Sequence, residues 1–573
     1  MTGHADETLF GWHLTRTRAW AIVVLIWAII YLPALGALEL RGNEAKRVLP
    51  ALEMLDGGSL ITPQLAGERY YNKPPLMYWM IAGAMQLTGT RSEWAARIPS
   101  VLAVLVFVTV LLWRGDTWLS LRGRLCAALI FMTVVSFIEK GRSSEIEAAF
   151  VAVTGCGVWW WLTAWDRVRG KSDRACTRAR LQVWLPVAAI IGIGLLLKGP
   201  LLLVFVYVPV LCVLVYEKRV RELLTWQHGL ACVIWAGMLL AWVLACKWEN
   251  PHASAHAVWR AEIGSRFVPD DFRVLGWLGA VLKVPIDFLP WSVCLPLLWW
   301  PVWTRAMRVD EERVFRALRA ALVIGFALVN LLPGTRPRYS MPLFANASIL
   351  LGWVLTAGVP GNAWCAVWAR LVRAAALVWI MAGGVALALG PSGVAAELLR
   401  VLALPVHVPA PATAKEWLIT LGAVVVIWYS AGWLWRHGER LRTCADCVVA
   451  TSGLIATGVL ACTTFVFPFF TCNATRRPAG AAIAAVLPTR ATLHVYARPD
   501  LRESGYQPFL YYVPRPLVFL TNIIQESPSP YVLMADHHTD AWLIAYAAQG
   551  TPLHVLTNFV FKDDRFSVLG PRP

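Results

Sequence analysis

The 573-residue chain is 58% hydrophobic and only 15% charged, with a mean hydropathy of +0.56. A soluble domain usually carries about 25% charged residues, so this composition excludes an ordinary soluble globular protein as well as a disordered one. The net charge of +17 does not point to nucleic acid, because most Arg and Lys fall in short loops between apolar runs and act there as topology signals. Phosphate-bearing lipids are the acidic partners such a chain meets.

The apolar residues come in runs near the roughly 20 that a helix needs to cross a bilayer. Neither period-2 alternation nor the short segments of a membrane barrel are present. The first run, 19–38, follows Arg16 and Arg18. It exceeds a signal-peptide core and is read as an uncleaved first helix with a cytoplasmic basic flank.

Further spans are expected over 95–113, 125–139, 148–165, 182–197, 200–216, 228–247, 283–303, 315–333, 341–358, 371–390, 416–435 and 447–469. The segment 75–89 follows Pro74-Pro75 and is short, so it is read as dipping into the membrane or lying at its surface. Basic loops around Arg114, Arg122 and Arg124, from Arg167 to Arg180, around Lys218, Arg219 and Arg221, from Arg305 to Arg316, and from Arg436 to Arg442 are all placed in the cytoplasm by the positive-inside rule. The expectation is therefore an all-α polytopic membrane protein of about 13 spans over 1–469. A small soluble α/β domain is expected over 470–573, where short runs (ATLHVYA, PLVFL, YVLMA, TPLHVL) alternate with turn residues.

That threading gathers several segments on the outer side. Loop 39–74 has apolar residues at helical spacing between Glu44 and Leu55 and ends in Arg69-Tyr70-Tyr71-Asn72-Lys73-Pro74-Pro75. Two prolines stiffen the backbone there and hold Lys73 at the mouth of a helix, where an ammonium binds phosphate as a point charge. Segment 140–147 supplies Glu145 and Glu147. Loop 248–275 supplies Trp259, Arg260, Glu262, Arg266 and Asp270-Asp271, and loop 333–340 supplies Arg336, Arg338 and Tyr339. A lone Arg at a membrane boundary is usually a snorkelling anchor. Cations and carboxylates converging on one face are what transfer from a phosphate leaving group needs.

The 12 cysteines lie mostly inside apolar runs, and Cys444 and Cys447 form a CxxC with no second pair to complete a zinc site. His537-His538, beside Asp536 and Asp540, reads as a solvated loop. No metal site is expected.

The stretch 42–113 resembles the polyprenyl-phosphate-dependent GT-C glycosyltransferases, in particular the bacterial lipid A aminoarabinose transferases, which are grouped with the protein O-mannosyltransferases. The matching residues are Asn43-Glu44-Ala45, Glu53-Met54-Leu55, Tyr70 with Lys73-Pro74-Pro75, and Trp94-Ala95-Ala96-Arg97-Ile98-Pro99-Ser100. Lys198-Gly199-Pro200, Arg266-Phe267 and Arg336-Pro337-Arg338-Tyr339 with Pro342 follow in order. The resemblance implies a bacterial inner-membrane enzyme with a periplasmic active site. It would move a sugar from a polyprenyl (undecaprenyl) phosphate to a lipid, glycan or protein acceptor. It also implies that Lys73, Tyr70, Arg266 and Tyr339 hold the donor phosphate, assisted by Arg336 or Arg338, and that Glu147 is the second acid.

Two positions depart from the family. Asn43 stands where its first-loop aspartate is usual, leaving Glu44 as the neighbouring acid. Asn72 replaces the acid before Lys-Pro-Pro, which counts against a bound divalent metal, and no cofactor is called for. An amide neither ionises nor accepts a proton near neutral pH, so Glu44 and Glu147 are the carboxylates able to act as base. Aminoarabinose specificity is not expected to carry over. Two rival readings are a transporter or flippase of lipid-linked saccharides, whose polar groups would lie near the midplane, and a binder that kept the phosphate cradle without the acids.

Overall fold

The computed structural model describes residues 7–65, 68–169, 173–251, 267, 272–300, 307–357, 362–389, 414–467, 475–496, 508–515, 517–520, 530–548, 550, 552–561 and 564–571. The chain divides into two compact units. One comprises 1–35, 71–77 and 97–468; the other comprises 36–70, 78–96 and 469–573.

The first unit is helical. Among the described residues, six helices are long and apolar enough to cross a membrane, or up to eight if each of two bent pairs counts as one span. This is a multi-pass membrane protein. Each expected range contains a helical segment among the described residues, but two ranges are not straight. Leu121–Met132 and Val135–Gly141 meet at 72°, and Val274–Asp287 and Trp291–Trp299 meet at 94°. Pro285, Pro290 and Pro296 remove backbone donors along the second pair.

The two bends interlock. Val135 N donates to Leu289 O (2.9 Å), Ser136 Oγ to Asp287 O (2.6 Å), and Trp291 Nε1 to Thr133 Oγ1 (3.0 Å). Backbone groups freed at one break are thus met by the other, as an apolar environment requires. Segment 76–88 forms a helix, Leu76–Thr88, whose 13 residues rise about 20 Å, short of a bilayer crossing.

Between Leu201–Tyr216 and Trp226–Glu249 a short turn of 3-10 helix carries Glu222. Its carboxylate accepts from Arg180 Nε (2.7 Å) and Nη2 (2.9 Å) and from Arg219 Nη2 (3.0 Å). Burial pushes this carboxyl up, but the two guanidiniums outweigh it and hold Glu222 below its ordinary value of 4.5.

The second unit contains helix Ala45–Leu55 and a five-stranded sheet in the order 517–520, 493–496, 532–535, 564–570, 554–561. The first three strands run parallel, and the last two join antiparallel. The four short apolar runs in the tail all form strands; the fifth, Asp564–Gly570, had no such signal. Val532, Met534, Trp542, Tyr546, Leu553 and Leu569 form its core.

Within this unit Arg477 is the main polar tie. Its guanidinium donates to Glu93 (2.6 and 3.1 Å), to Gly36 O (3.0 Å) and to Ala37 O (3.2 Å), and its backbone N donates to Glu39 (2.6 Å). Tyr512 donates its hydroxyl to Glu93 (3.0 Å) and accepts from Leu40 N (3.0 Å). Burial opposes the charge on Arg477, yet Glu93 more than offsets it and raises the guanidinium above its ordinary value. Burial, with Glu93 beside it, also pushes the Tyr512 hydroxyl up.

Two outcomes are expected. Arg477→Met removes charged hydrogen bonds worth about 1.5–3 kcal/mol, so thermal scanning of the purified protein should show a lowered midpoint and limited proteolysis should show earlier nicking of the tail. Unchanged curves would refute the tie. Because the folded-state value of Glu222 is depressed, its contribution is present above about pH 4.5 and fades as pH falls below it. Glu222→Gln should therefore lower the melting midpoint at neutral pH and flatten its fall at acid pH.

Candidate functional site

Helix Ile146–Arg169 places Glu147 in its first turn, where the helix dipole favours a carboxylate. Helix Asp173–Lys198 packs against it and ends with Lys198 in its last turn, where the dipole favours a cation. The turn that follows is dictated by sequence. Gly199 sits at φ +83°, the left-handed region that favours glycine, and Pro200, at φ −62°, opens the next helix, Leu201–Tyr216.

The result is a buried ion pair: Lys198 Nζ lies 3.1 Å from Glu147 Oε1, with side chains 6% and 8% exposed. Lys198 also stands over the rings of Phe150 (5.0 Å) and Tyr339 (5.8 Å). Arg338 Nε approaches the same Glu147 oxygen at 4.0 Å, and its guanidinium lies 5.8 Å from the Tyr339 ring centre. Arg338 Nε is buried with no hydrogen-bond partner among the described residues.

The loop carrying Arg338 is fixed from beneath. Pro337–Tyr339 forms a single turn of 3-10 helix, entered from an extended Arg336 as a residue before proline prefers. Asn330 Nδ2 donates to Ser340 Oγ (2.8 Å), Thr335 Oγ1 donates to Asn330 Oδ1 (3.4 Å), and Trp277 Nε1 donates to Asn330 O (2.8 Å). The strand of chain before Glu147 is braced too. Ser100 Oγ donates to Glu145 O (3.3 Å), while Lys140 Nζ lies 3.2 Å from Glu145 Oε2. Arg97, one turn before Ser100, donates to Leu35 O (2.7 Å).

Three of the expected site residues, Glu147, Arg338 and Tyr339, are therefore brought together. Arg336 is exposed at the edge of that loop, and Lys73 is half-buried in the turn leading to Leu76–Thr88. Arg266 lies outside the described residues, as do Trp259, Arg260, Glu262, Asp270 and Asp271.

Asn43, Glu44 and Tyr70 belong to the second unit. Glu44, 3% exposed, precedes helix Ala45–Leu55 and accepts from Arg41 N (2.7 Å). Arg47 on that helix donates to Tyr78 Oη (3.0 Å). Tyr70 N pairs with Pro63 O (2.7 Å). Among the described residues, no group of three or more His, Cys, Asp or Glu is placed to hold a metal; Asn72 adds no carboxylate.

Lys198 was not among the expected site residues, although its Lys-Gly-Pro turn was noted. The available signal was a cation at the end of an apolar run, directly before a glycine-proline reversal that prevents the helix from continuing toward water. Lys198→Ala removes the nearer of the two cations beside the buried Glu147, and unfolding measurements in detergent should show a loss of about 1–3 kcal/mol. Glu147→Gln combined with Lys198→Met should recover much of it, whereas full additivity of the two changes would show that no pair exists.

Comparison with known proteins follows this geometry. The family described as dolichyl-phosphate-mannose-protein mannosyltransferase matches residues 72–248, a stretch that contains Lys73, Glu147 and Lys198. The chain is 27% identical over 345 residues to undecaprenyl phosphate-alpha-4-amino-4-deoxy-L-arabinose arabinosyl transferase 1 of Pseudomonas fluorescens, covering 59% of this chain and 58% of that one. It is 28% identical over 453 residues to the corresponding transferase of Pseudomonas aeruginosa, covering 77% and 76%. The alignment thus spans less than two thirds of the first relative's length. ArnT from Cupriavidus metallidurans, in a crystal structure bound to undecaprenyl phosphate, aligns with a TM-score of 0.65 at 18% identity over 96% of this chain and 97% of that one. The chain has the GT-C fold and is similar in sequence to the aminoarabinose transferases.

Proposed function

We propose that this protein is a membrane glycosyltransferase that moves a sugar from a polyprenyl phosphate, undecaprenyl phosphate in a bacterial membrane, to a lipid, glycan or protein acceptor. The observation that carries this reading is the buried Glu147 carboxylate flanked by Lys198 and Arg338, with Tyr339 alongside. A carboxylate accepts a proton; two cations within reach of the same point receive a phosphate. Acid and anion site together are what glycosyl transfer from a lipid phosphate requires. The relatives' names, which specify an undecaprenyl-phosphate-linked donor, support the same class of donor.

The proposed reaction is a single displacement. An acceptor hydroxyl gives its proton to Glu147, or to Glu44, and its oxygen bonds to the anomeric carbon as the bond from that carbon to the phosphate oxygen breaks. The electron pair leaves with the lipid phosphate. Lys198 has three N–H donors, so it can serve Glu147 and a phosphate oxygen together, and Arg338 has an unpartnered Nε to offer. Lys73, Tyr70, Arg266, Arg336 and Tyr339 complete the proposed phosphate cradle. Displacement from one face inverts the anomeric carbon. The proposal includes about thirteen crossings over 1–469, an inner-membrane location, and an outer, periplasmic α/β tail over 470–573.

A second reading, a non-catalytic binder of lipid-linked sugars, is favoured by one feature: Asn43 and Asn72 stand where the family has acids. Mass spectrometry of lipid A and surface glycans from a deletion strain tests the enzyme directly. A missing modification should return with the wild-type gene and fall by about 10²–10⁴-fold with Glu147→Gln, the usual contribution of a proton-transferring group. Lys73→Ala should weaken retention of the lipid-linked sugar in pull-down. An unchanged glycan profile in the deletion strain would remove the enzyme reading; intact donor binding without transfer by the wild type would establish the binder.

A further inference from the structure

Away from the candidate site, two cysteines meet across a pair of packed helices. Cys365 lies one turn into helix Asn362–Leu389, and Cys444 is the first residue of helix Cys444–Ala461. Their sulfurs are 2.7 Å apart, not far beyond the covalent S–S length of about 2.05 Å. The separation is set by the packing around it. Ala369 and Val372 on one helix share a buried cluster with Cys447, Ala450 and Leu454 on the other, and Trp368 Nε1 donates to Thr451 Oγ1 (3.1 Å). Cys447 sits one turn beyond Cys444, yet its sulfur faces the Cys365 carbonyl oxygen at 3.9 Å.

We propose that Cys365 and Cys444 form a reversible dithiol–disulfide site, oxidised by a low-molecular-weight disulfide and reopened by a thiol. The two sulfurs have different roles. Cys444 is partly exposed at the start of its helix, which makes it the sulfur that meets the oxidant. Cys365 is 9% exposed and reacts second.

The Cys444 thiolate attacks one sulfur of the small disulfide, that S–S bond breaks, and one small thiol leaves with the proton given up by Cys444. The Cys365 sulfur then loses its proton and attacks Cys444 Sγ, displacing the second small thiol. In total, two protein S–H bonds and one small-molecule S–S bond are lost. One protein S–S bond and two small thiols are gained. The product staples the two helices at one end and closes the chain between positions 365 and 444.

The test uses the purified full-length protein in detergent, treated with oxidised glutathione, alkylated, and examined by non-reducing peptide mass spectrometry. The expected result is a linked peptide pair joining Cys365 to Cys444, with both positions lost to alkylation and both recovered after dithiothreitol. Cys447→Ser should leave the link intact, and Cys365→Ser should stop the reaction at a glutathione adduct on Cys444. Full alkylation of both cysteines after oxidant would overturn the proposal, as would a link from Cys365 to Cys447 in its place.

Discussion

An apolar environment supplies no hydrogen-bond partners, and the architecture of the first unit follows from that constraint. Wherever the chain departs from a straight helix or carries a charge inward, another part of the protein must supply the missing partner. The two bent segments do this for one another. The break near Thr133 and the break near Phe288 each leave backbone groups outside the helical ladder; Val135 N meets Leu289 O and Ser136 Oγ meets Asp287 O, with a side-chain bond from Trp291 to Thr133 beside them. The same need governs charge. Glu147 is almost fully withdrawn from water, and a charge there persists only beside a cation. Lys198 provides it from the neighbouring helix end.

This arrangement holds the two partners of the buried ion pair more firmly than the second cation beside them. Glu147 and Lys198 are fixed by two packed helices, while Arg338 rides on a short turn held by Asn330 and Ser340 and retains an unpartnered nitrogen. A phosphate arriving at such a place would meet a guanidinium Nε that makes no hydrogen bond among the described residues. Preorganisation of this kind is the main physical resource for stabilising a leaving phosphate.

Much of this was legible in the sequence, for identifiable reasons. Runs of about 20 apolar residues report helices irrespective of context, and the tail runs around Leu493, Leu517 and Val532 alternate with turn residues strongly enough to read as strands. The bends were not legible, because what stabilises them lies some 150 positions away: Thr133 looks like any mid-helix threonine until Trp291 is beside it. The site divides in the same way. Glu147, Arg338 and Tyr339 stand out as polar residues at the ends of apolar runs, and they do gather. Lys198 enters the sequence reading only within its Lys-Gly-Pro turn, and the packing of two helix ends makes it the partner of Glu147. Asn330 has no signature in the sequence, since its role depends on the turn it holds.

The Trp94–Ser100 block, part of the family likeness, bears on how that likeness should be used. Two of its polar members act on main chain: Arg97 holds the carbonyl of Leu35, and Ser100 holds the carbonyl of Glu145. A fingerprint of this sort records a joint in the framework and by itself says nothing of what is bound. Two proteins can therefore share these letters and still differ in what they bind. What sets one such protein apart from another has to be sought in the side chains around Glu147, Lys198 and Arg338.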